Sequence, residues 1–245
     1  MGNEIIRLLD LKDADLVLDV ASGTGEPGPS IAKKLSGGQV VLSDLSENMI
    51  KAAEENAARR GIENIETTVC DICELPFPDN TFDVISCRFG FMFFPDMLLA
   101  AREMYRVLKP GGRVATAVWN ISEKNFWVTA FSSVIGRNME LPPTQPGAPG
   151  MFRCAESGLI QNLFQKAGFR NTSETEVSGK LKCGTTDVYW NLMTEVAAPV
   201  VSALSKADEG TKRKIKDEVY QAVTDKYPDG NIRIDSSALV IYGEK

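Results

Sequence analysis

Val17-Leu18-Asp19-Val20-Ala21-Ser22-Gly23-Thr24-Gly25 runs an apolar stretch into a glycine turn, and the next apolar stretch, residues 39–43, ends at Asp44. A strand that opens into a helix through such a turn, with a carboxylate about 20 residues on, reads as a nucleoside-binding half-site. The glycines let the backbone approach a ligand, and the carboxylate accepts ribose hydroxyls.

The same loop continues as Glu26-Pro27-Gly28 and so satisfies G-x-G-x-x-G. On its own that pattern also fits a dinucleotide, whose pyrophosphate sits on the helix N-terminus. Two residues argue against this. Pro27 and Pro29 remove amide donors where a pyrophosphate needs them. Asp19 repels a phosphate and attracts an ammonium group. A nucleoside joined to an amino-acid zwitterion fits better, and S-adenosylmethionine is such a ligand, its sulfonium favouring an acidic pocket.

Outward from the loop, strand-like and helix-like stretches alternate. Strands are expected over residues 16–19, 39–43, 65–69, 82–87 and 113–119. Helices are expected over 4–9, 27–35, 46–60, with Ser46 and Gly61 as caps, and 97–107. The Lys109-Pro110-Gly111-Gly112 stretch is expected to break the chain before the last of these strands. This alternation predicts an α/β fold with a doubly wound, Rossmann-like sheet, parallel through its first five strands. Beyond Trp119 the pattern loosens. Helices are expected over 125–135 and 156–167, and a breaker-rich loop over 142–150. A strand follows over 171–181, helices over 187–204 and 208–226, and a last strand over 232–242. That makes seven strands with a helical insertion between the last two. The expected organisation is one domain over 1–245, a cofactor-binding core over 15–120 and a helical cap insertion over 185–230.

Composition narrows the function. At 245 residues the chain can bury a full core. A formal net charge of −6 disfavours nucleic acid, which needs a basic footprint. No apolar run reaches the length of a membrane span and no signal-peptide core is visible, so a cytoplasmic protein without an integral membrane segment is expected. Histidine is absent, which removes Ser-His-Asp and Cys-His catalysis and His-ligated metals. The five cysteines are an odd set that reads as reduced thiols. Cys70 and Cys73 form a C-x-x-C, but it follows a strand and precedes Pro76 and Pro78, unlike redox motifs at a helix start. No cluster has metal-ligand spacing, and no metal is expected.

Three stretches together resemble a known family. They are the residues from Asp19 to Gly25, Phe82-Asp83-Val84-Ile85-Ser86-Cys87-Arg88-Phe89-Gly90, and Met104-Tyr105-Arg106-Val107-Leu108-Lys109-Pro110-Gly111-Gly112. Over roughly residues 15–120 the chain resembles the class I S-adenosylmethionine-dependent methyltransferases, and within them the ubiquinone/menaquinone-biosynthesis C-methyltransferase branch. Ala21 and Ser22 stand where that family often has Gly and Cys. The resemblance implies S-adenosylmethionine as cofactor and a small-molecule methyl acceptor as partner. It also implies residue roles. Asp19 holds the methionine ammonium, through water. The Ala21-Ser22-Gly23-Thr24-Gly25 backbone surrounds the methionine portion. Asp44 takes the ribose hydroxyls, and Leu45 and Met49 lie against the adenine. Asp71 accepts from the adenine amino group while the Ile72 amide meets a ring nitrogen. The Arg88 carbonyl faces the ammonium and its side chain reaches for the carboxylate. Of the aromatic run that follows, Phe89 and Phe93 are expected to face the pocket. The resembling proteins carry a longer N-terminal helical lid. Here the lid is either short, supplied by a second copy in a homodimer, or outside this chain.

Each residue also has a plainer reading. Asp19 can cap the turn, Asp44 can cap the next helix, Asp71 can be a turn residue, Met49 can be core, and Arg88 can be a surface ion-pair partner. No general base is assigned. Tyr189, Glu195 and Tyr220 are candidates, and Trp127 and Trp190 are possible pocket walls, against a packing role for all five. The favoured function is methyl transfer to a small, apolar or aromatic acceptor. An NAD-dependent oxidoreductase and a non-catalytic S-adenosylmethionine-binding protein are the alternatives. Acceptor choice is expected to reside in residues 120–160 and 185–230.

Overall fold

The computed structural model describes residues 1–140, 145 and 147–245. In order, the elements are α1 (Gly2–Leu9), β1 (Leu16–Val20), α2 (Gly28–Ala32), β2 (Gln39–Asp44), α3 (Glu47–Arg59), β3 (Ile65–Val69), β4 (Phe82–Arg88), α4 (Met97–Val107) and β5 (Leu108–Trp119). Then come α5 (Phe126–Asn138), α6 (Leu159–Ala167), β6 (Arg170–Gly184), α7 (Thr186–Val196), α8 (Ala198–Ser205), α9 (Glu209–Lys226) and β7 (Ile232–Glu244). Of the breaker-rich loop expected over 142–150, Pro142, Pro143, Thr144 and Pro146 lie outside the described residues.

The strands form a seven-stranded sheet in the order β3-β2-β1-β4-β5-β7-β6. The pairs β1–β2, β1–β4, β2–β3 and β4–β5 are parallel, whereas β5–β7 is antiparallel. Alternation along the strands separates two cores. Leu18, Val20, Ile85 and Val114 turn to one face, where they meet Ala100, Met104 and Val107 of α4 and Phe164 of α6. Val17, Val40, Leu42 and Val84 turn to the other, where they meet Ile5 and Leu9 of α1 and Ile31 of α2. A strand buried on both faces has to be apolar nearly throughout, which is why β1, β2 and β4 read so clearly.

The chain forms two compact units. The first comprises Met1–Asn120, Pro149–Val177 and Ala238–Lys245, and the second Ile121–Ala148 and Ser178–Ser237. The expected insertion over 185–230 falls in the second unit, which also takes in α5. That unit has its own core, built from Phe131, Val134, Tyr189, Met193, Ile215 and Val219 among others.

Three boundaries differ from the sequence reading. The helix expected over 27–35 stops at Ala32, because the chain tightens into shorter-range bonds from Lys34 N–H to Ile31 and from Leu35 N–H to Ala32. The Lys109–Gly112 stretch does not end the strand. It forms a bulge in β5, where register jumps from Phe82↔Leu108 to Val84↔Arg113, and Gly111 takes a φ of 78° to allow it. The helix expected over 187–204 is two helices. Pro199, at the start of α8, has no N–H to continue the ladder, so the chain breaks at Ala197. Among the described residues, no helix is long and apolar enough to cross a membrane.

Candidate active site

The carboxyl ends of β1, β2 and β4 open on a cavity of about 610 Å³. This is where an open α/β sheet binds its ligand. All its lining residues fall between Val20 and Pro95, within the first unit.

The loop after β1 makes one wall. Ala21, Gly23 and Gly25 have φ of 51°, 55° and 119°. The Ser22 N–H donates to the Ser43 carbonyl at 2.9 Å and the Gly25 N–H to the Ser22 carbonyl at 2.8 Å. The loop is thereby tied to β2 and to itself. Gly28 shows why the third glycine is needed: a Cβ there would lie 2.2 Å from Leu42 Cδ2.

Asp44 joins this loop to the next helix. One carboxylate oxygen accepts from the Gly23 N–H and the other from the Ser46 N–H, both at 2.9 Å. Ser46, not Asp44, is the N-cap of α3, its Oγ accepting from the Met49 N–H at 3.4 Å. A carboxylate has about four acceptor sites, so those two bonds leave room for hydroxyl donors. Leu45 is 73% exposed and Met49 44%, both on the cavity wall. Asp71 combines both of its readings: it caps a short 3-10 turn, accepting from the Cys73 N–H at 2.8 Å, and it lines the cavity. Ile72 lies beside it, buried. The C-x-x-C therefore spans the end of β3 and this turn, and burial pushes both thiols up, away from thiolate character.

The segment after β4 supplies further lining residues. Arg88 lines the cavity and its Nε donates to the Glu26 carbonyl at 3.1 Å, while the Glu26 carboxylate pairs with Arg60. Phe89, Phe93, Phe94 and Pro95 add apolar surface. Gly90 sits between the loops after β1 and β4, where a Cβ would come 2.7 Å from Ala21 Cβ and 2.8 Å from Cys87 Sγ.

Of the residues singled out from sequence, Ala21, Ser22, Gly23, Thr24, Asp44, Leu45, Met49, Asp71, Ile72, Arg88 and Phe89 come together on the cavity. Asp19 and Gly25 are placed elsewhere. Asp19 is fully buried beneath the loop, one oxygen accepting from the Gly28 N–H at 3.1 Å and the other from the Ser86 hydroxyl. Burial pushes its carboxyl up to about 7, against the Ser86 and Gly28 hydrogen bonds that pull it down. Gly25 packs against Ala53 and Pro29. Glu26, Gly90 and Phe94 are cavity residues that the sequence reading passed over. Glu26 stood inside the quoted loop, and the glycine pattern drew attention away from it.

The aromatic residues of the second unit are occupied in packing. Tyr189 is fully buried and its hydroxyl donates to the Trp127 carbonyl at 2.7 Å. Trp190 stacks on Phe131, and the Tyr220 hydroxyl donates to Asp187. Burial holds the Tyr189 phenol far above its ordinary range, and burial with the Asp187 bond pushes Tyr220 up to about 12. Neither is a ready proton acceptor. Glu195 is exposed on α7.

A nucleoside joined to an amino acid fits this cavity on two observations. Ser22 Oγ is buried in its wall with no hydrogen-bond partner among the described residues, a donor–acceptor left for a ligand. Gly90, with no Cβ, lets Ala21 and Phe94 pack close against it, so that the loops after β1 and β4 meet at the cavity.

Comparison with known proteins agrees. A family model described as a methyltransferase domain matches residues 17–112. Demethylmenaquinone methyltransferase of Listeria monocytogenes is 34% identical over 184 residues, covering 68% of this chain and 74% of the relative. A ubiquinone/menaquinone-biosynthesis C-methyltransferase of Cellvibrio japonicus is 48% identical over 100 residues, 40% of either chain. In fold the chain is similar to the YcgJ protein of Bacillus subtilis, with a TM-score of 0.65 at 19% identity, covering 100% of this chain and 97% of that one. The chain belongs to the ubiquinone/menaquinone-biosynthesis C-methyltransferase branch of the class I S-adenosylmethionine-dependent methyltransferases and is an enzyme that uses S-adenosylmethionine.

Proposed function

We propose that this enzyme methylates a ring carbon of a small, apolar, quinol-type acceptor. The observation that carries the reading is a single cavity whose lining combines the carboxylates of Asp44 and Asp71 with the aromatic residues Phe89, Phe93 and Phe94. The names of the relatives, demethylmenaquinone methyltransferase and ubiquinone/menaquinone-biosynthesis C-methyltransferase, support the acceptor class.

Bound S-adenosylmethionine supplies an electrophilic methyl group on a cationic sulfur. The chain's own residues bind, orient and keep the site dry. Asp44 accepts the ribose hydroxyls, and Asp71 and the Ile72 amide read the adenine edge between Leu45 and Met49. Ala21, Ser22, Gly23 and Thr24 surround the methionine portion, with Arg88 directed to its carboxylate. Asp19 acts from beneath, holding the loop through Gly28 rather than touching the ligand. Phe89, Phe93 and Phe94 would give the acceptor an apolar seat in the same cavity. Alignment and exclusion of water are the main contributions that such a site makes.

The test is methyl transfer from S-adenosylmethionine carrying a trideuteromethyl group. The acceptor panel contains a reduced demethylated naphthoquinone, a catechol, a primary amine and a thiol. Mass spectrometry should find the label on a ring carbon of the naphthoquinol. Label only on the amine or thiol, or on none of the panel, overturns the acceptor class.

A further inference from the structure

Two residues of the cavity hold a backbone conformation that side chains resist. Among the described residues, Asp10, Ala21, Asn80, Phe89 and Asn171 are the non-glycine residues with positive φ. Asp and Asn accept that conformation readily; Ala and Phe do not. Ala21, at 51°, and Phe89, at 64°, both line the cavity, on the loops that follow the paired strands β1 and β4. Such backbone persists only where its surroundings fix it.

What fixes Phe89 is visible. Its N–H donates to the Ala117 carbonyl at 2.8 Å. Its ring stacks on Trp119, centroids 4.0 Å apart and planes 10° from parallel. The Arg88 guanidinium carbon lies 5.7 Å from the same ring's centroid. Trp119 is the last residue of β5 and, among the described residues, does not itself line the cavity. Its ring meets the cavity wall at Phe89. Glycine would take a φ of 64° freely. A phenylalanine held there by a second aromatic ring is an aromatic surface fixed in place at the cavity wall.

We infer that Phe89 is the specificity wall for a planar, ring-shaped acceptor and that Trp119 is the positioning residue that holds it. The inference rests on the proposed acceptor class and adds which residues read its planarity. Aromatic rings favour planar aromatic partners in offset or edge contact. A puckered ring of the same size loses that contact and keeps only its area burial.

The probes are 2-naphthol and its fully saturated counterpart, trans-decahydro-2-naphthol, titrated into protein loaded with S-adenosylhomocysteine. They share a skeleton and a hydroxyl and differ in planarity. The native protein should prefer 2-naphthol by about three- to tenfold. Phe89→Gly should bring that ratio close to one. Trp119→Leu should do the same while S-adenosylhomocysteine affinity stays within about twofold, since Trp119 acts through Phe89. The double variant should lose no more than Phe89→Gly alone. Trp119→Phe, which keeps a stacking ring, should retain the preference, and it carries the test with Phe89→Gly if Trp119→Leu does not fold. Equal binding of the two probes by native protein, a full preference in Phe89→Gly or Trp119→Leu, or additive losses in the double variant overturns the inference. Preferential 2-naphthol binding without methylation of the naphthoquinol sinks the proposed function and leaves the wall. Methylated naphthoquinol with no planar preference does the reverse.

Discussion

Asp19 lies fully buried beneath the loop after β1, accepting from the Gly28 N–H and the Ser86 hydroxyl. Its place in the motif was legible, since an acid at the end of an apolar strand beside a glycine turn stands out. Its depth was not, because burial depends on Gly28 and Ser86, which close over it from other elements. That depth has a pH consequence. With its carboxyl at about 7 instead of near 4, the native protein keeps a proton that the unfolded chain releases between those values. Stability contributed by this group therefore falls as pH rises from about 4 to about 7, then levels. Asp19→Asn has no such proton. Urea unfolding at about pH 5, 6 and 7 should show native stability declining relative to Asp19→Asn, by at most about 1.4 kcal/mol per pH unit. Parallel profiles for the two proteins would show that Asp19 is ionised throughout. Asp44 and Asp71 were more legible, because their neighbours in sequence, Ser46 and Cys73, supply the hydrogen bonds that orient them.

At the scale of elements, the cavity depends on the loops after β1 and β4 approaching each other. Gly90 permits this, and its nearest neighbour has little room to retreat, since Ala21 Cβ is fixed to backbone and the adjoining Cys87 is fully buried. Gly90→Ala should cost about 1–3 kcal/mol of stability and weaken S-adenosylmethionine binding through displacement of Ala21. Thermal melts and titration of the same sample check both. An unchanged melting temperature with unchanged affinity would mean that the loops have slack. The central strands and α4 were readable because burial on both faces leaves a continuous apolar run and because Asp96 caps α4 through the Leu99 N–H. The Lys109–Gly112 bulge was not, since Pro and Gly there look like a break and only the register with β4 shows the strand continuing. The antiparallel pairing of β7 was likewise invisible, because it is set by contact with β5 across a separation of more than a hundred residues.

For the whole molecule, the sequence suggested that the aromatic residues beyond residue 120 would shape the acceptor pocket. In the second unit Tyr189 and Phe131 lie in the core and Trp190 packs against it. Aromatic content alone does not distinguish a pocket wall from a core, because both need large apolar side chains. The cavity lining falls within the first unit, and the claim that follows is that this unit holds the cofactor, with Asp44 as the ribose acceptor. Calorimetric titration of S-adenosylmethionine into native protein, Asp44→Ala and Tyr189→Phe tests this most directly. Asp44→Ala should lose about 1.5–3 kcal/mol of binding free energy, the range for a charge-assisted hydrogen bond. Tyr189→Phe, which breaks only the bond to the Trp127 carbonyl, should bind as the native protein does while melting at a lower temperature. Unchanged binding in a folded Asp44→Ala, or weakened binding in Tyr189→Phe, would contradict the claim.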